Sequence, residues 1–164
     1  MNNKSLVKLS NIVKNLYKID YNKEFKNDKT RYIILIVWEI LCLFGVAYIQ
    51  HYLRPQKLQL SPLGYFLQGT LPSFFGAAAY CALFFVFHKT YKSAKNEYKL
   101  INSVTFAFTV TFVGLTLWEF MRIVISPFDL YDIVMTFWGC VISAILIFIL
   151  YYNELKQQRK KHCR

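Results

Sequence analysis

Residues 58–88 read LQLSPLGYFLQGTLPSFFGAAAYCALFFVFH, an unbroken stretch between Lys57 and Lys89 without one Asp, Glu, Lys or Arg. The hydrocarbon core of a bilayer, about 30 Å thick, is crossed by roughly 20 helical residues, so this stretch is long enough to span it. The pattern repeats on either side. No charged residue lies between Lys99 and Glu119 or between Asp132 and Glu154, and the run from Tyr32 to Leu53 holds Glu39 alone. Four spans follow, near Tyr32–Leu53, Pro62–Phe87, Leu100–Ile125 and Phe128–Tyr152. The runs are continuous, whereas a barrel would show alternating segments of about ten residues. Gly45, Gly64, Gly69, Gly76, Gly114 and Gly139 all fall within them, as membrane helices tolerate. The expected fold is all-α, a single four-transmembrane-helix bundle over residues 1–164. A composition of 55% hydrophobic and 18% aromatic residues supports this reading over a soluble domain.

Twenty Lys and Arg against nine Asp and Glu give a net charge of +11, which could suggest nucleic acid were the charges not placed between the apolar runs. Seventeen of the cations lie in residues 1–31, 88–99 and 153–164, against two in 50–61 and one in 119–132. This bias orients the chain in a cytoplasmic (inner) membrane with both termini inside. The N-terminal residues lack the order of a cleavable signal, so Met1 is expected to begin the mature chain. Residues 4–25 carry Leu6, Leu9, Ile12, Val13, Leu16 and Ile19 on one helical face and Lys4, Lys8, Asn11, Asn15, Lys18 and Asn22 on the other. They predict an amphipathic helix on the cytoplasmic leaflet, whose simplest role is an orienting anchor. With Arg159-Lys160-Lys161 in the tail, the basic charge points to membrane phospholipids as partners and not to nucleic acid.

Cys42, Cys81 and Cys140 fall inside apolar runs and Cys163 in the tail, so no disulfide is required. His51, His88 and His162 lack the number and spacing of a metal site, and neither metal nor cofactor is expected.

At 1.5 Å per residue, Glu39 lies about 10 Å into the inner half, whereas Glu119 lies about 28 Å along its span, near the outer surface. Arg122, Asp129 and Asp132 follow at that level, and Gln68, Thr70 and Ser73 begin the second span there. Thr105, Thr109, Thr116 and Glu119 form a polar stripe on the third span; Asp129, Asp132, Thr136, Cys140 and Ser143 form one on the fourth. Charges inside a membrane turn toward protein or water, so the two stripes are expected to face each other across an outward-opening polar cleft. Ordinary explanations stand beside this one. Ser126-Pro127-x-Asp129 is a helix start, and Glu119 with Arg122 at i, i+3 forms an interfacial ion pair. Asp132, one turn deeper, is too far along to cap. Glu39 is read as a neutral buried acid hydrogen-bonded to Asn102, Thr105 or His88. Gly69, Ser73 and Ala77 read as a close-packing series, with Pro72 kinking the helix.

Trp118-Glu119-Phe120-Met121-Arg122, then Pro127-Phe128-Asp129-Leu130-Tyr131-Asp132 and Gly139, resembles the VanZ-like family, named for a teicoplanin-resistance protein, over residues 115–145. The family pattern runs aromatic-Glu-x-x-Gln, Pro-Gly-Arg, then Phe-Asp-x-x-Asp-x-x-x-Asn-x-x-Gly. Glu119, Phe128, Asp129, Asp132 and Gly139 match. Arg122 stands where the family has Gln, Thr136 where it has Asn, and the Gly-Arg is lost from a shortened loop. The resemblance implies a small polytopic envelope protein of largely unassigned activity, associated with glycopeptide resistance.

The leading functional expectation is a membrane protein that binds an amphiphilic ligand, a lipid or lipid-linked cell-wall precursor. The candidate ligand-binding residues are Glu119, Arg122, Asp129, Asp132, Thr136, Gln68 and Ser73. Arg122 would meet a phosphate or carboxylate, and the acids would hold Arg122 or meet hydroxyl and ammonium groups. Two rivals stand beside it: an intramembrane hydrolase or transferase using Asp129 and Asp132, and a structural or regulatory subunit of a larger complex. Catalysis is not the favoured reading, and oligomerisation is left open.

Overall fold

The computed structural model describes residues 28–56, 60–95, 97–122 and 129–162, with side chains omitted at 157 and 159–162. The amphipathic stretch 4–25, Cys163 and the loop through Ser126, Pro127 and Phe128 lie outside these residues. Five α-helices account for most of the described chain: α1 Lys29–Tyr48, α2 Pro62–Ala94, α3 Leu100–Arg122, α4 Leu130–Leu150 and α5 Tyr152–His162. Among the described residues there is no strand. Helices α1 to α4, α1 with its continuation to Gln56, are each long and apolar enough to cross a membrane. They run alternately up and down, so one end of the bundle holds Asp28, Lys89, Tyr98 and Tyr151, and the other holds Arg54, Pro62, Glu119 and Asp132.

Local chemistry sets the helix limits. Ser61 caps α2, its hydroxyl accepting from the Gly64 N–H at 3.3 Å, with Pro62 at the first position, where the missing N–H costs nothing. The sequence reading had Ser126 capping the fourth span. Instead Asp129 is the cap, accepting from the Tyr131 N–H at 2.9 Å, and α4 begins at Leu130. Asp132 therefore sits in the first helical turn, where the helix dipole favours an acid. Helix α1 ends in a π-helical turn, Ile49–Leu53, closed by the Arg54 N–H on the Ile49 carbonyl, and a 3₁₀ turn, Arg54–Gln56, in which Pro55 offers no donor. Proline does not interrupt α2, which runs unbroken through Pro72.

Helix α2 is the hub and packs against α1, α3 and α4, with its closest partner α4. Small residues make that approach feasible: Ala77, Ala78, Cys81 and Ala82 of α2 are buried against the bundle, and Gly139 and Cys140 of α4 are buried opposite. A Cβ on Gly139 would lie 2.2 Å from the Phe74 carbonyl oxygen and 3.0 Å from Ala77 Cβ, so only glycine permits this separation. A short polar chain ties three helices together. Trp38 Nε1 of α1 donates to Ser143 Oγ of α4 at 2.9 Å, and that hydroxyl donates to the Ala78 carbonyl of α2 at 2.8 Å. Cys81, Phe85, Leu100, Ala107, Ile147 and Tyr151 form the main apolar core. Large apolar side chains elsewhere point outward, Ile40, Leu41 and Phe44 of α1 among them, which is compatible with a bundle that crosses a membrane.

Candidate functional site

At the Arg54 end, a cavity of about 210 Å³ opens between α2, α3 and α4, beside the turn after α1. Its polar lining is Gln50, Arg54, Ser73, Glu119, Arg122, Asp132 and Thr136; Pro72, Leu115 and Trp118 supply apolar surface. Gly69 and Gly76 also border it, and a side chain at either would meet open space.

Five of the polar groups, Ser73, Glu119, Arg122, Asp132 and Thr136, belong to the candidate set expected from the sequence. Arg122 Nη1 donates to Glu119 Oε1 at 3.2 Å, the expected i, i+3 pair. The pair is asymmetric: the Glu119 side chain is 12% exposed and that of Arg122 44%, so the acid faces the cavity interior and the guanidinium its mouth. Asp132, 8% exposed, accepts from Ser73 Oγ at 2.9 Å on Oδ1. Among the described residues that hydroxyl is its only side-chain donor. Asp132 lies within electrostatic reach of Arg54, Arg122 and Asp129, and Glu119 within reach of Arg122, Asp132 and Asp129. Thr136, one turn below Asp132 and buried, completes the wall.

Arg54 is absent from the candidate set expected from the sequence, where it enters only as one of two cations in residues 50–61. The side chain has a physical reason to be here. Pro72 cannot donate, so the Gln68 carbonyl, four residues earlier, loses its helical partner. Arg54 fills the gap: Nη2 donates to the Gln68 carbonyl at 3.2 Å and to the Gly69 carbonyl at 3.0 Å. The π-helical turn adds a residue to the last turn of α1, which changes the rotation at which Arg54 emerges. A proline embedded in α2 and an arginine one helix earlier are the signal that could have found it.

Other expectations are corrected. Gln68 contributes its main-chain carbonyl to Arg54, and its residue borders a separate apolar hollow with Leu60, Leu67 and Leu71 instead of the polar cavity. Asp129 is exposed and occupied as the cap of α4, so it edges the site electrostatically without lining it. The two stripes meet only at the cavity, which Glu119, Asp132 and Thr136 line together, and diverge below it. Thr105 and Thr109 are exposed on α3, while the α4 stripe turns to α2 through Asp132–Ser73, Cys140–Cys81 and Ser143–Ala78. Periodicity fixed the face of α4 but not the neighbour it meets. Of the Gly69, Ser73, Ala77 series, Ala77 meets Gly139, Ser73 meets Asp132 and Gly69 opens on the cavity.

Glu39 is half-buried on α1, away from α3. The donors expected for it, Asn102 and Thr105, are exposed on α3 across the hub helix, and His88 is engaged with Ser103 at 2.9 Å and stacked on Phe106 at 4.3 Å. Among the described residues no hydrogen bond or ion pair reaches Glu39.

The opposite end of the bundle holds a second polar cluster that sequence reasoning missed. Lys89 of α2 is 2% exposed and ion-paired with Asp28; its ammonium lies 5.2, 5.1 and 4.8 Å from the ring centres of Tyr32, Tyr98 and Tyr151. Arg31 pairs with Asp28 at 3.0 Å and with Glu154, and stacks over Tyr151 at 4.9 Å. Burial pushes the Glu154 carboxyl above its ordinary range, opposed by Lys89 and Arg31. Burial, reinforced by Glu154, likewise pushes the Tyr98 hydroxyl up. Gln158 Oε1 of α5 accepts from the Leu100 N–H at 3.1 Å, satisfying one of the free donors at the start of α3. The charged groups of this cluster pair with one another, which makes it a clasp joining four helices, although among the described residues the buried Tyr151 hydroxyl finds no hydrogen-bond partner. The Arg54-end cavity, by contrast, leaves polar groups turned toward open space.

No family model, curated protein or solved structure matches this chain.

Proposed function

We propose that this chain is a VanZ-like multi-pass protein of a bacterial cytoplasmic membrane that binds an amphiphilic ligand bearing a phosphate or carboxylate, a lipid or a lipid-linked cell-wall precursor. Orientation follows from the positive-inside bias, which puts the Asp28 end in the cytoplasm and the polar cavity in the outer leaflet. The observation that carries the reading is the convergence of Arg54, Arg122, Glu119, Asp132 and Ser73 on one open cavity. Ionisable groups at membrane depth are retained where they meet a ligand, water or one another. Two guanidiniums supply forked donors suited to a phosphate or carboxylate. Glu119 holds Arg122 in place, and Trp118 and Leu115 offer apolar surface beside the charges, as an amphiphile requires.

The test is the lipid retained through purification in mild detergent. One charge-assisted contact is worth about 1.5–3 kcal/mol, so Arg54→Gln with Arg122→Gln is expected to lower retention of amphiphiles bearing a phosphate or carboxylate by about tenfold or more. Equal lipid content in wild type and double variant defeats the proposal.

A further inference from the structure

We infer that the cavity selects a zwitterionic headgroup, a phosphodiester joined to a primary ammonium, with the phosphate on Arg54 and the ammonium on the free oxygen of Asp132. This rests on the proposed reading of the cavity as an amphiphile site and adds the chemistry of the headgroup.

Charge placement in the cavity decides the headgroup. The lining carries two cations, Arg54 and Arg122, and two carboxylates, Glu119 and Asp132, so a ligand with a single negative charge taken up by Arg54 would leave one acid uncompensated. Glu119 and Arg122 already pair with each other. Arg54 and Asp132 do not. Among the described residues Arg54 forms no ion pair; it spends Nε and Nη2 on the Gln68 and Gly69 carbonyls and keeps the N–H groups of Nη1. Asp132 is more than nine-tenths buried, is held on one oxygen by Ser73 and has no cation within ion-pair distance among the described residues. A guanidinium and a buried carboxylate thus line the same cavity without touching, although each feels the other's charge.

A zwitterion with the complementary order closes both vacancies at once. Its phosphate takes the spare donors of Arg54, and its ammonium supplies the cation that a carboxylate at this depth lacks. The recognition favours a primary ammonium over a quaternary one. Asp132 can accept hydrogen bonds from N–H groups, whereas trimethylated nitrogen offers none and is ordinarily met by a cage of aromatic rings. Trp118 is the one aromatic side chain lining the cavity among the described residues.

The experiment uses the delipidated full chain in detergent, titrated with dioleoyl phosphatidylethanolamine, phosphatidylglycerol or phosphatidylcholine and followed by native mass spectrometry. Glycerophosphoethanolamine, which has the headgroup without the chains, forms a fourth arm. The expected result is an affinity for phosphatidylethanolamine about tenfold above the other two lipids, equivalent to one charge-assisted hydrogen bond. Asp132→Asn is expected to cut the phosphatidylethanolamine affinity by the same factor and collapse the preference. Arg54→Gln is expected to weaken all three lipids. Glycerol or choline headgroups binding as well as ethanolamine overturns the inference while leaving the amphiphile site standing, provided binding still falls in Arg54→Gln. Binding of all three lipids that ignores Arg54 and Arg122 overturns both. Glycerophosphoethanolamine binding as tightly as the lipid reassigns the site to a soluble headgroup compound and overturns the lipid assignment.

Discussion

Gly139→Ala adds one methyl group at the tightest point of the bundle. Its Cβ would stand 2.2 Å from the Phe74 carbonyl oxygen, 3.0 Å from Ala77 Cβ and 3.1 Å from the Ala78 nitrogen. The first and last of these are backbone atoms of α2, so no rotamer change relieves them. Ordinary van der Waals contact begins near 3.5 Å, so the helices must part by about 1 Å. Overpacking of this kind costs about 1–3 kcal/mol, which for a chain of this length is about 3–10 °C in melting temperature. Ala77→Gly in the same protein should recover little, because it leaves the Phe74 carbonyl in place. Gly114→Ala is the control: nothing lies within 4 Å of its Cβ, and alanine in a helix interior is favourable by about 0.5–1 kcal/mol. Cys42, Cys81 and Cys140 are all buried, so a thiol-reactive fluorophore reports unfolding in a Cys163→Ser background. Gly139→Ala melting together with Gly114→Ala would refute the close α2–α4 approach.

Three further outcomes are expected. Lys89→Met strips the ammonium from Asp28 and the three tyrosine rings and should destabilise by about 3 kcal/mol, read as a fall in melting temperature that Lys89→Arg partly avoids. Burial raises the Glu154 carboxyl above its ordinary 4.5, so between 4.5 and the raised value the folded chain binds more protons than the unfolded one. Stability should therefore fall as pH rises through that window and level off above it, and Glu154→Gln should reduce the slope, measured as melting temperature against pH. The Arg54 bond to the Gln68 carbonyl compensates for Pro72, so a double-mutant cycle should show Arg54→Gln costing about 1 kcal/mol less in a Pro72→Ala background, where the helical donor is restored.

The sequence and the structure agree where a single physical rule decides. Three charge-free runs and one holding Glu39 alone located the four long helices, and the starts at Pro62 and Leu100 fell in place because a cap and a proline mark one and a charge boundary the other. Helix ends were less legible: α2 runs to Ala94 past the read limit of Phe87, because Lys89 was taken as a boundary charge when Asp28 and three tyrosines bury it. Those partners come from residues 28, 32, 98 and 151, and no local pattern announces their meeting. Of the residues lining the cavity, Glu119, Arg122, Asp132 and Ser73 were legible from depth and Thr136 from its place on the stripe of the fourth span. Arg54 was not, since its place depends on a carbonyl orphaned by a proline in the next helix. Below the cavity the stripe on α4 was read with the wrong neighbour, because a 3.6-residue period defines a face and leaves its partner to the packing of Gly139.

Ligand binding in the cavity is tested most directly with a photo-crosslinking amino acid at Trp118, on the cavity wall, and at Phe87, exposed on α2 toward the opposite end, in cells whose lipids carry radioactive phosphate. The expected result is a phospholipid adduct at Trp118 that falls by about tenfold in the Arg54→Gln, Asp132→Asn background, while the Phe87 adduct with bulk lipid stays constant. A Trp118 adduct that tracks the Phe87 adduct in both backgrounds would contradict binding in the cavity.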